Sequence, residues 1–234
     1  MRHVLTINGT ALSDFNAYYD GSNWFAIPEK DIEKIEVAGR NGDLTISNGR
    51  FKNISIEFPC YIRENFRGNY SALINFFYSL DGYLRVESDE DPSVYRMGLL
   101  ASQIDPEMLQ FNRAGMFSMV FDFMPQKWLK SGENRIALSA SNTIYNPSQF
   151  DSKPIYEVQG TGSITVNGVE FSLSTNTGTT VIDCDLQDAY EGTINRNRQL
   201  TITGQILPVL KPGANEVTVT GFTSVNLIPK WWRL

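Results

Sequence analysis

Apolar and polar residues alternate along much of the chain, which is the pattern of half-buried β-strands. The first clear apolar face consists of Ile54, Ile56, Phe58, Cys60 and Ile62. A second consists of Phe117, Met119, Phe121 and Phe123. Pro59 lies inside the first strand and therefore predicts a sheet edge or a bulge there. Shorter strands are predicted near residues 3–7, 35–38, 83–88 and 94–100.

One helix is predicted between Asn69 and Leu80, capped by Asn69 or Ser71 and ended by Asp81-Gly82. Its apolar residues form two stripes. One is Leu73 with Phe76, Phe77 and Leu80, and the other is Tyr70 with Ile74 and Tyr78. A helix that is apolar on two faces covers a sheet with one of them. The second face packs either within the same subunit or against a neighbouring subunit.

Turn signals organise the rest of the chain. Asn41-Gly42 and Asn48-Gly49 predict tight hairpin turns on either side of 44–46, and Asn167-Gly168 predicts a third. A loop-rich connection near residues 131–154 separates two predicted domains, 1–133 and 134–234. The strands predicted after it are 164–166, 169–173, 180–184, 199–203, 216–220 and 225–228, a spacing typical of a β-sandwich.

Charge and composition exclude several classes of protein. The 234 residues include 20 basic and 26 acidic ones, a net charge of −6, which argues against stable binding to nucleic acid. No apolar stretch is long enough to span a bilayer, and the first residues alternate too early for a secretory leader. The two cysteines, Cys60 and Cys184, indicate a reducing compartment rather than a disulfide framework. His3 is the only histidine, which makes Ser-His-Asp, Cys-His and His-rich zinc chemistry improbable.

The remaining candidate chemistries have weak signals, and no cofactor or metal is expected. The acidic group Asp183, Asp185, Asp188 and Glu191 could bind Ca²⁺, but it is better explained as a solvated group that caps a loop. A glycine-rich stretch at 39–44 lacks the features of a phosphate-binding loop. A carboxylate hydrolase stays open as a third hypothesis, because 26 acids always offer candidate pairs. A saccharide-binding module is the stronger rival, although residues 134–226 contain no Trp or His.

Three groups of residues are candidate contacts with a partner or another copy. We expect Arg40, Asn41 and Asp43 at a hairpin tip, the helix face Tyr70, Ile74 and Tyr78, and Trp231 with Trp232 as an anchor. The apolar end of the chain is expected to dock on a domain or a neighbour. The N-terminal domain is one candidate to receive residues 229–234.

Taken in order, several short segments resemble the distal tail proteins (Dit) of long-tailed, non-contractile bacteriophages. These segments are 39–44, 123–129, 160–168, 182–185 with 189–190, 211–215 and 229–234. Each alone is ordinary turn and strand sequence, but the ordered set covers nearly the whole chain. The resemblance therefore applies to both predicted domains.

The resemblance implies a mainly β fold, with an N-terminal ring-forming domain that contains one helix and a C-terminal galectin-like β-sandwich. It implies a homohexameric ring at the tail tip, in which an extended hairpin grips the next subunit. The implied partners are the tail tube protein, the tape-measure protein, the tail-associated lysin or fibre, and receptor-binding proteins. DNA would pass through the ring without stable binding. The implied function is a structural hub in the virion tail, made in the host cytoplasm, and not an enzyme. A small carbohydrate-binding adhesion module is the alternative.

Overall fold

The computed structural model describes residues 2–109, 113–174 and 178–234, and the chain divides into two compact units. The first unit comprises the residues up to Lys127 together with Leu234, and the second runs from Trp128 to Arg233. Strands dominate both units, and the described residues contain one α-helix. The mainly β fold class is therefore confirmed. The domain boundary after residue 133 stays a prediction.

The first unit combines short strands with one long strand at its end. In chain order the strands are β1 Leu5–Ile7, β2 Thr10–Ala11, β3 Ala17–Tyr19, β4 Lys30–Ile35, β5 Leu44–Phe51, β6 Ile54–Ile62, β7 Leu84–Ser88, β8 Val94–Leu100, β9 Glu107–Leu109 and β10 Ala114–Leu129. Helix α1, Phe66–Tyr78, connects β6 to β7, and a 3-10 turn, Leu12–Phe15, follows β2. The predicted strands near 83–88 and 94–100 are confirmed as β7 and β8.

Most of these strands form one curled antiparallel sheet. Its order is β2-β1-β7-β8-β10-β6-β3, and β9 pairs with β10. His3, just before β1, forms an antiparallel bridge with Tyr19 of β3, with backbone hydrogen bonds of 3.0 and 3.1 Å. Because β1 and β3 lie near opposite ends of the strand order, this bridge brings the sheet back onto itself around a core.

Strand β6 becomes an edge of the sheet at Pro59, as the proline predicts. It pairs with β10 along its length, from Ile54 opposite Phe123 to Ile62 opposite Gly115. On its other side, β3 reaches only as far as Cys60. Pro59 therefore lies where β6 becomes an edge strand, a position that tolerates a residue without an N–H.

Helix α1 begins earlier than the pattern predicts, which corrects both proposed caps. Its N-cap is Asn65, in a left-handed conformation with φ 45° and ψ 54°. Asn69 lies inside the helix and donates a side-chain hydrogen bond of 2.7 Å to the Glu64 carbonyl, and Ser71 is also internal. The helix ends at Ser79, whose backbone N–H bonds to the preceding turn, rather than at residues 81–82.

The second unit follows with shorter, more even strands. They are β11 Ile136–Ala137, β12 Ser141–Asn146, β13 Ile155–Gln159, β14 Gly162–Val166, β15 Val169–Leu173, β16 Thr179–Asp183, β17 Asp188–Glu191, β18 Ile194–Asn195, β19 Leu200–Ile202, β20 Gly213–Thr220, β21 Ser224–Ile228 and β22 Trp232–Arg233. Two 3-10 turns, Lys130–Glu133 and Asn197–Gln199, complete the unit.

All of these strands except β22 form two sheets that share one core, which confirms the predicted sandwich. One sheet has the order β11-β21-β13-β16-β17-β18, and the other has the order β12-β20-β14-β15-β19. Tyr156 and Leu227 from the first sheet and Phe171 and Val217 from the second are all fully buried in the same cluster. The apolar residues of the two inner faces therefore meet, as in other sandwiches.

The hairpin predicted at Asn167-Gly168 is confirmed. Val166 pairs directly with Val169, so the loop contains two residues. Both have positive φ, 50° for Asn167 and 87° for Gly168, as a type I′ turn requires.

The predicted loop-rich connection at 131–154 is only partly a loop. Residues 141–146 form strand β12, which pairs with β20 in the second sheet. Only Ile144 in this strand is a buried aliphatic residue, and the other inward position is Asn146, which is 1% exposed. Its side-chain amide donates to the Phe150 and Leu210 carbonyls, both at 2.9 Å. Asn146 is thus buried at a position where the alternating pattern requires an apolar residue, and its side-chain amide is hydrogen-bonded.

Candidate functional site

Strands β4 and β5 form a two-stranded sheet of their own, which we call the arm. The arm comprises residues 30–51, and almost all of its residues are exposed. Its regular part pairs Ile35 with Leu44 and Glu33 with Ile46. The strand predicted near 35–38 is therefore displaced toward the N-terminus, and residues 36–43 form the tip.

One face of the arm is apolar although it is exposed. Directly paired residues in an antiparallel ladder share a face, so Ile35, Leu44 and Ile46 lie together. Their exposed fractions are 37, 43 and 45%. Ile32 lies on the opposite face, beside Ser47. Sequence reasoning did not select this face, although the spacing of Leu44 and Ile46 carried the signal.

Asn48-Gly49 is a bulge and not a hairpin turn, which corrects the sequence prediction. The register runs from Ile32 opposite Ser47 to Lys30 opposite Phe51. Residues 48–50 of β5 therefore lie opposite the single residue Asp31 of β4. Gly49 has φ 70°, and the glycine accommodates this left-handed conformation without strain. The strand continues beyond the bulge because its backbone pairing resumes.

The tip of the arm brings together the first group of predicted contact residues. Arg40, Asn41 and Asp43 are all exposed there. The Arg40 N–H donates to the Val37 carbonyl at 3.1 Å, and Gly42 has φ 84°. The tip thus presents charges of both signs on a short loop. Their role in contacting another subunit stays a prediction.

The base of the arm is held by polar contacts. Arg50 donates from Nε to an oxygen of Asp31 at 2.7 Å, and this hydrogen bond lowers the pKa of that carboxyl. The Lys52 N–H donates to the Glu29 carbonyl at 2.9 Å. Both contacts are solvent-exposed, so they orient the strands more than they stabilise the unit.

A buried arginine anchors the segment that precedes the arm. Arg96 of β8 is fully buried, and its Nη2 donates to the Trp24 and Ala26 carbonyls, both at 3.0 Å. Its guanidinium also lies over the Trp24 ring, 5.5 Å from the centroid. Burial lowers the pKa of Arg96 to about 10. Trp24 is fully buried, whereas the next residue, Phe25, is 58% exposed. The arm therefore follows a segment that is fixed to the core.

The second predicted group borders a groove beside helix α1. Tyr70, Ile74 and Tyr78 line a groove of about 510 Å³, together with Leu100 and Ile104. The Tyr70 hydroxyl donates to the Ile104 carbonyl at 2.8 Å, and burial with nearby carboxylate charge raises its pKa. Tyr78 is 87% exposed. Leu73 and Phe77 of the first stripe are buried, whereas the stripe of Tyr70, Ile74 and Tyr78 is only partly covered.

The third predicted group lies within the second unit. Trp231 is 5% exposed and belongs to the core of the sandwich. Its carbonyl accepts the Leu129 N–H at 2.9 Å, and a Cβ at Gly132 would lie 2.3 Å from its backbone N. Trp232 stacks on Phe150 with ring centroids 4.3 Å apart. Trp231 therefore offers little surface to a partner, and Trp232 is partly exposed.

The acidic group of the second unit does not converge on one point. Asp183 accepts the N–H groups of Asp185 and Leu186 at 2.8 and 3.1 Å, which is loop capping. Asp185 pairs with a lysine, and Glu191 pairs with Arg196. Across the described residues, no three His, Cys, Asp or Glu side chains are placed to hold a metal ion.

His3 and the cysteines are placed in structural roles. His3 Nδ1 lies 3.0 Å from an Asp89 oxygen, at the closure of the first sheet. Cys60 and Cys184 are free and buried, and burial raises the pKa of both thiols. Among the described helices, none has the length and hydropathy to cross a membrane.

Sequence comparisons find no relatives of this chain. No protein-family model matches it, and no curated protein matches its sequence. The function therefore has to be argued from the structure.

Three solved structures with a similar fold are phage hub or baseplate proteins. The Dit protein (gp 19.1) of phage SPP1, described as a paradigm of the hub adsorption apparatus in phages that infect Gram-positive hosts, superposes with a TM-score of 0.75 at 13% identity, over 99% of both chains. A chain of the phage P2 baseplate in its activated conformation with Ca has a TM-score of 0.60 at 12% identity, over 97% of both chains. The same baseplate with Sr gives 0.60 at 11% identity, over 100% of this chain and 98% of that one. The resemblance inferred from sequence is confirmed at the level of the fold.

Proposed function

We propose that this chain is a structural hub of a phage tail tip, which assembles as a hexameric ring. The ring joins the tail tube and the tape-measure protein to the tail-associated lysin or fibre, and receptor-binding proteins are further partners. The protein is then a component of the virion tail and has no catalytic role. Fold likeness to phage hub and baseplate proteins over nearly the whole chain supports a tail hub role.

The apolar face of the arm is the observation that carries the proposal of a ring. A two-stranded hairpin alone is marginally stable in water, and its aliphatic residues gain stability only when they are covered. Ile35, Leu44 and Ile46 are exposed in the isolated chain, and in the proposed ring they cover a surface on the next subunit. A contact between two different surfaces of identical chains closes into a ring when the rotation between subunits allows it.

Two further surfaces are proposed as secondary contacts. The groove beside α1 exposes the Tyr78 ring, and both rings of the Phe150–Trp232 stack are partly exposed. We assign these surfaces to the tube protein, the lysin or the fibre, because exposed aromatic residues are enriched at protein interfaces.

The charge of the chain supports a conduit for DNA. Each subunit has a net charge of −6, so a ring of six repels the phosphate backbone rather than binding it. DNA then passes through the ring without stable contacts.

The mass of the purified chain in solution tests the proposal. Light scattering at high protein concentration is expected to give about six times the 26.4 kDa subunit mass, and negative-stain images are expected to show closed rings. A 26.4 kDa species at every concentration and salt would contradict self-assembly into a ring. Detectable turnover of a substrate would contradict the structural role.

The outer face of the sandwich favours saccharide binding as a second candidate function. Tyr145 of β12 is 69% exposed, and its cross-strand neighbour is Ala214, which leaves the ring uncovered. The next cross-strand pairs on the same face of the sheet are Thr143 with Glu216 and Ser141 with Thr218. An exposed aromatic ring beside hydroxyls and a carboxylate can stack on a sugar and hydrogen-bond to it.

A glycan array distinguishes this second candidate. If the sandwich binds saccharide, the chain is expected to give signals on neutral glycans that Tyr145→Ala removes. Phe25→Ala, which changes an exposed aromatic residue of the first unit, is the control and should leave the signals unchanged. A blank array with the intact chain contradicts the saccharide function and leaves the hub proposal standing.

A further inference from the structure

The chain contains four Asn-Gly pairs, which are chemically the most labile dipeptides of a protein backbone. They begin at Asn8, Asn41, Asn48 and Asn167. The glycine lacks a side chain, so its backbone nitrogen can approach the side-chain carbonyl carbon of the preceding asparagine. Whether that approach occurs depends on how firmly the folded structure holds each amide.

Two of the four amides are held in tight turns. Asn8 has φ 48°, and its Oδ1 accepts the Arg85 N–H at 2.8 Å. Asn167 has φ 50°, its Oδ1 accepts the Glu216 N–H at 3.0 Å, and its Nδ2 donates to Asn215 at 2.7 Å. The side-chain carbonyl of each residue is therefore engaged by a backbone donor and cannot rotate toward the following nitrogen.

The third amide is held by the arm itself. Asn48 lies in the bulge of β5, and its side chain hydrogen-bonds to the Asp31 carboxylate. The backbone on both sides of it is fixed by pairing with β4.

The fourth pair has none of these restraints. Asn41 is exposed at the tip of the arm and lies outside both strands. In the part of the chain that the structure describes, its side chain has no hydrogen-bond partner, and it is not among the residues with positive φ. Both the side chain and the Gly42 nitrogen are free to reach the geometry of attack.

We propose that Asn41 is a site of spontaneous deamidation in the folded protein. The Gly42 nitrogen attacks the side-chain carbonyl carbon of Asn41, a new C–N bond forms, and the side-chain nitrogen leaves as ammonia. Water then opens the resulting cyclic imide at either carbonyl and gives aspartate or isoaspartate. One water is consumed, one ammonia is released, and no oxidant or reductant takes part.

The product changes the part of the arm that is expected to touch another subunit. Each conversion adds one negative charge, so the net charge of the chain becomes −7 instead of −6. The new carboxylate lies beside Asp43 and near Glu36, on a tip whose only basic residue is Arg40. The isoaspartate product also lengthens the backbone inside the tip.

Peptide mapping by mass spectrometry tests the proposal on the full chain. The folded protein is incubated at mildly alkaline pH, and conversion at each of the four asparagines is followed with time. Asn41 is expected to convert roughly fivefold or more faster than Asn8 and Asn167, because the side-chain amides of those two must first leave the hydrogen bonds that hold them. Asn41→Gln is expected to remove the fast phase.

Unfolded protein provides the matched control. In denaturant the rates at the four sites are expected to converge, because the restraints are lost. Equal rates in the folded chain, or faster conversion at Asn8 or Asn167 than at Asn41, would overturn the proposal. If Asn41 still deamidated fastest in denaturant, the local sequence and not the folded structure would explain its rate, and the structural argument would be wrong.

Discussion

Replacement of Ile35, Leu44 and Ile46 together by threonine is expected to weaken assembly of the proposed ring by about two orders of magnitude. Threonine keeps the β-propensity of the strands but removes the apolar surface of the arm. The three side chains are 37 to 45% exposed in the isolated chain. Burying the exposed part of each on a neighbour is worth about 1 kcal/mol, so the triple variant is expected to associate roughly 100-fold more weakly.

The measurement is light scattering over a series of protein concentrations. Ile32→Thr is the matched control, because Ile32 is 38% exposed on the opposite face of the same hairpin. We expect this control to assemble as the unmodified chain does. The interface assignment would be wrong if the control failed to assemble or if the triple variant assembled at the same concentrations as the unmodified chain.

Substitution of Phe58 by alanine is expected to destabilise the first unit by about 3–5 kcal/mol. Phe58 is fully buried at the centre of an aromatic cluster. Its ring centroid lies 5.4 Å from that of Tyr19, 5.9 Å from Phe121 and 6.2 Å from Phe123. The loss combines transfer of the ring to water with a cavity that the surrounding strands cannot close.

Urea unfolding followed by circular dichroism and fluorescence measures this loss. The two units can unfold in separate transitions, so the midpoint assigned to the first unit is the relevant quantity. Tyr78→Ala is the control, because Tyr78 is 87% exposed, and its change is expected to stay within about 0.5 kcal/mol. A loss below about 1 kcal/mol for Phe58→Ala would contradict the packing described for the curled sheet.

The elements that could be predicted are those whose signal is local. Strands β6 and β10 alternate over most of their length, and the Asn167-Gly168 turn determines the two-residue loop of its hairpin. Strand β12 could not be predicted, because its inward position at Asn146 is an amide that donates to the Phe150 and Leu210 carbonyls. The start of α1 was missed for a related reason, since Asn65 caps it through backbone conformation and not through a side chain.

The candidate site was predictable at its tip but not along its length. Glycines at 39 and 42 indicate a turn, so Arg40, Asn41 and Asp43 could be placed together. The apolar face was missed because it is assembled across two strands, and Glu33 interrupts it on one of them. The pattern of one strand alone does not show which residues of its partner share a face. Only the register decides this.

The bulge at Asn48-Gly49 has a consequence for solubility. A two-stranded arm has two open edges, and each exposes unpaired backbone groups to which strands of other chains could add. The edge formed by β4 carries Lys30, Asp31, Glu33 and Lys34, whose charges oppose such addition. The edge formed by β5 is interrupted by the bulge, which twists the strand and breaks the regular spacing of its donors and acceptors. The arm can therefore keep its aliphatic residues uncovered before assembly without seeding fibrils.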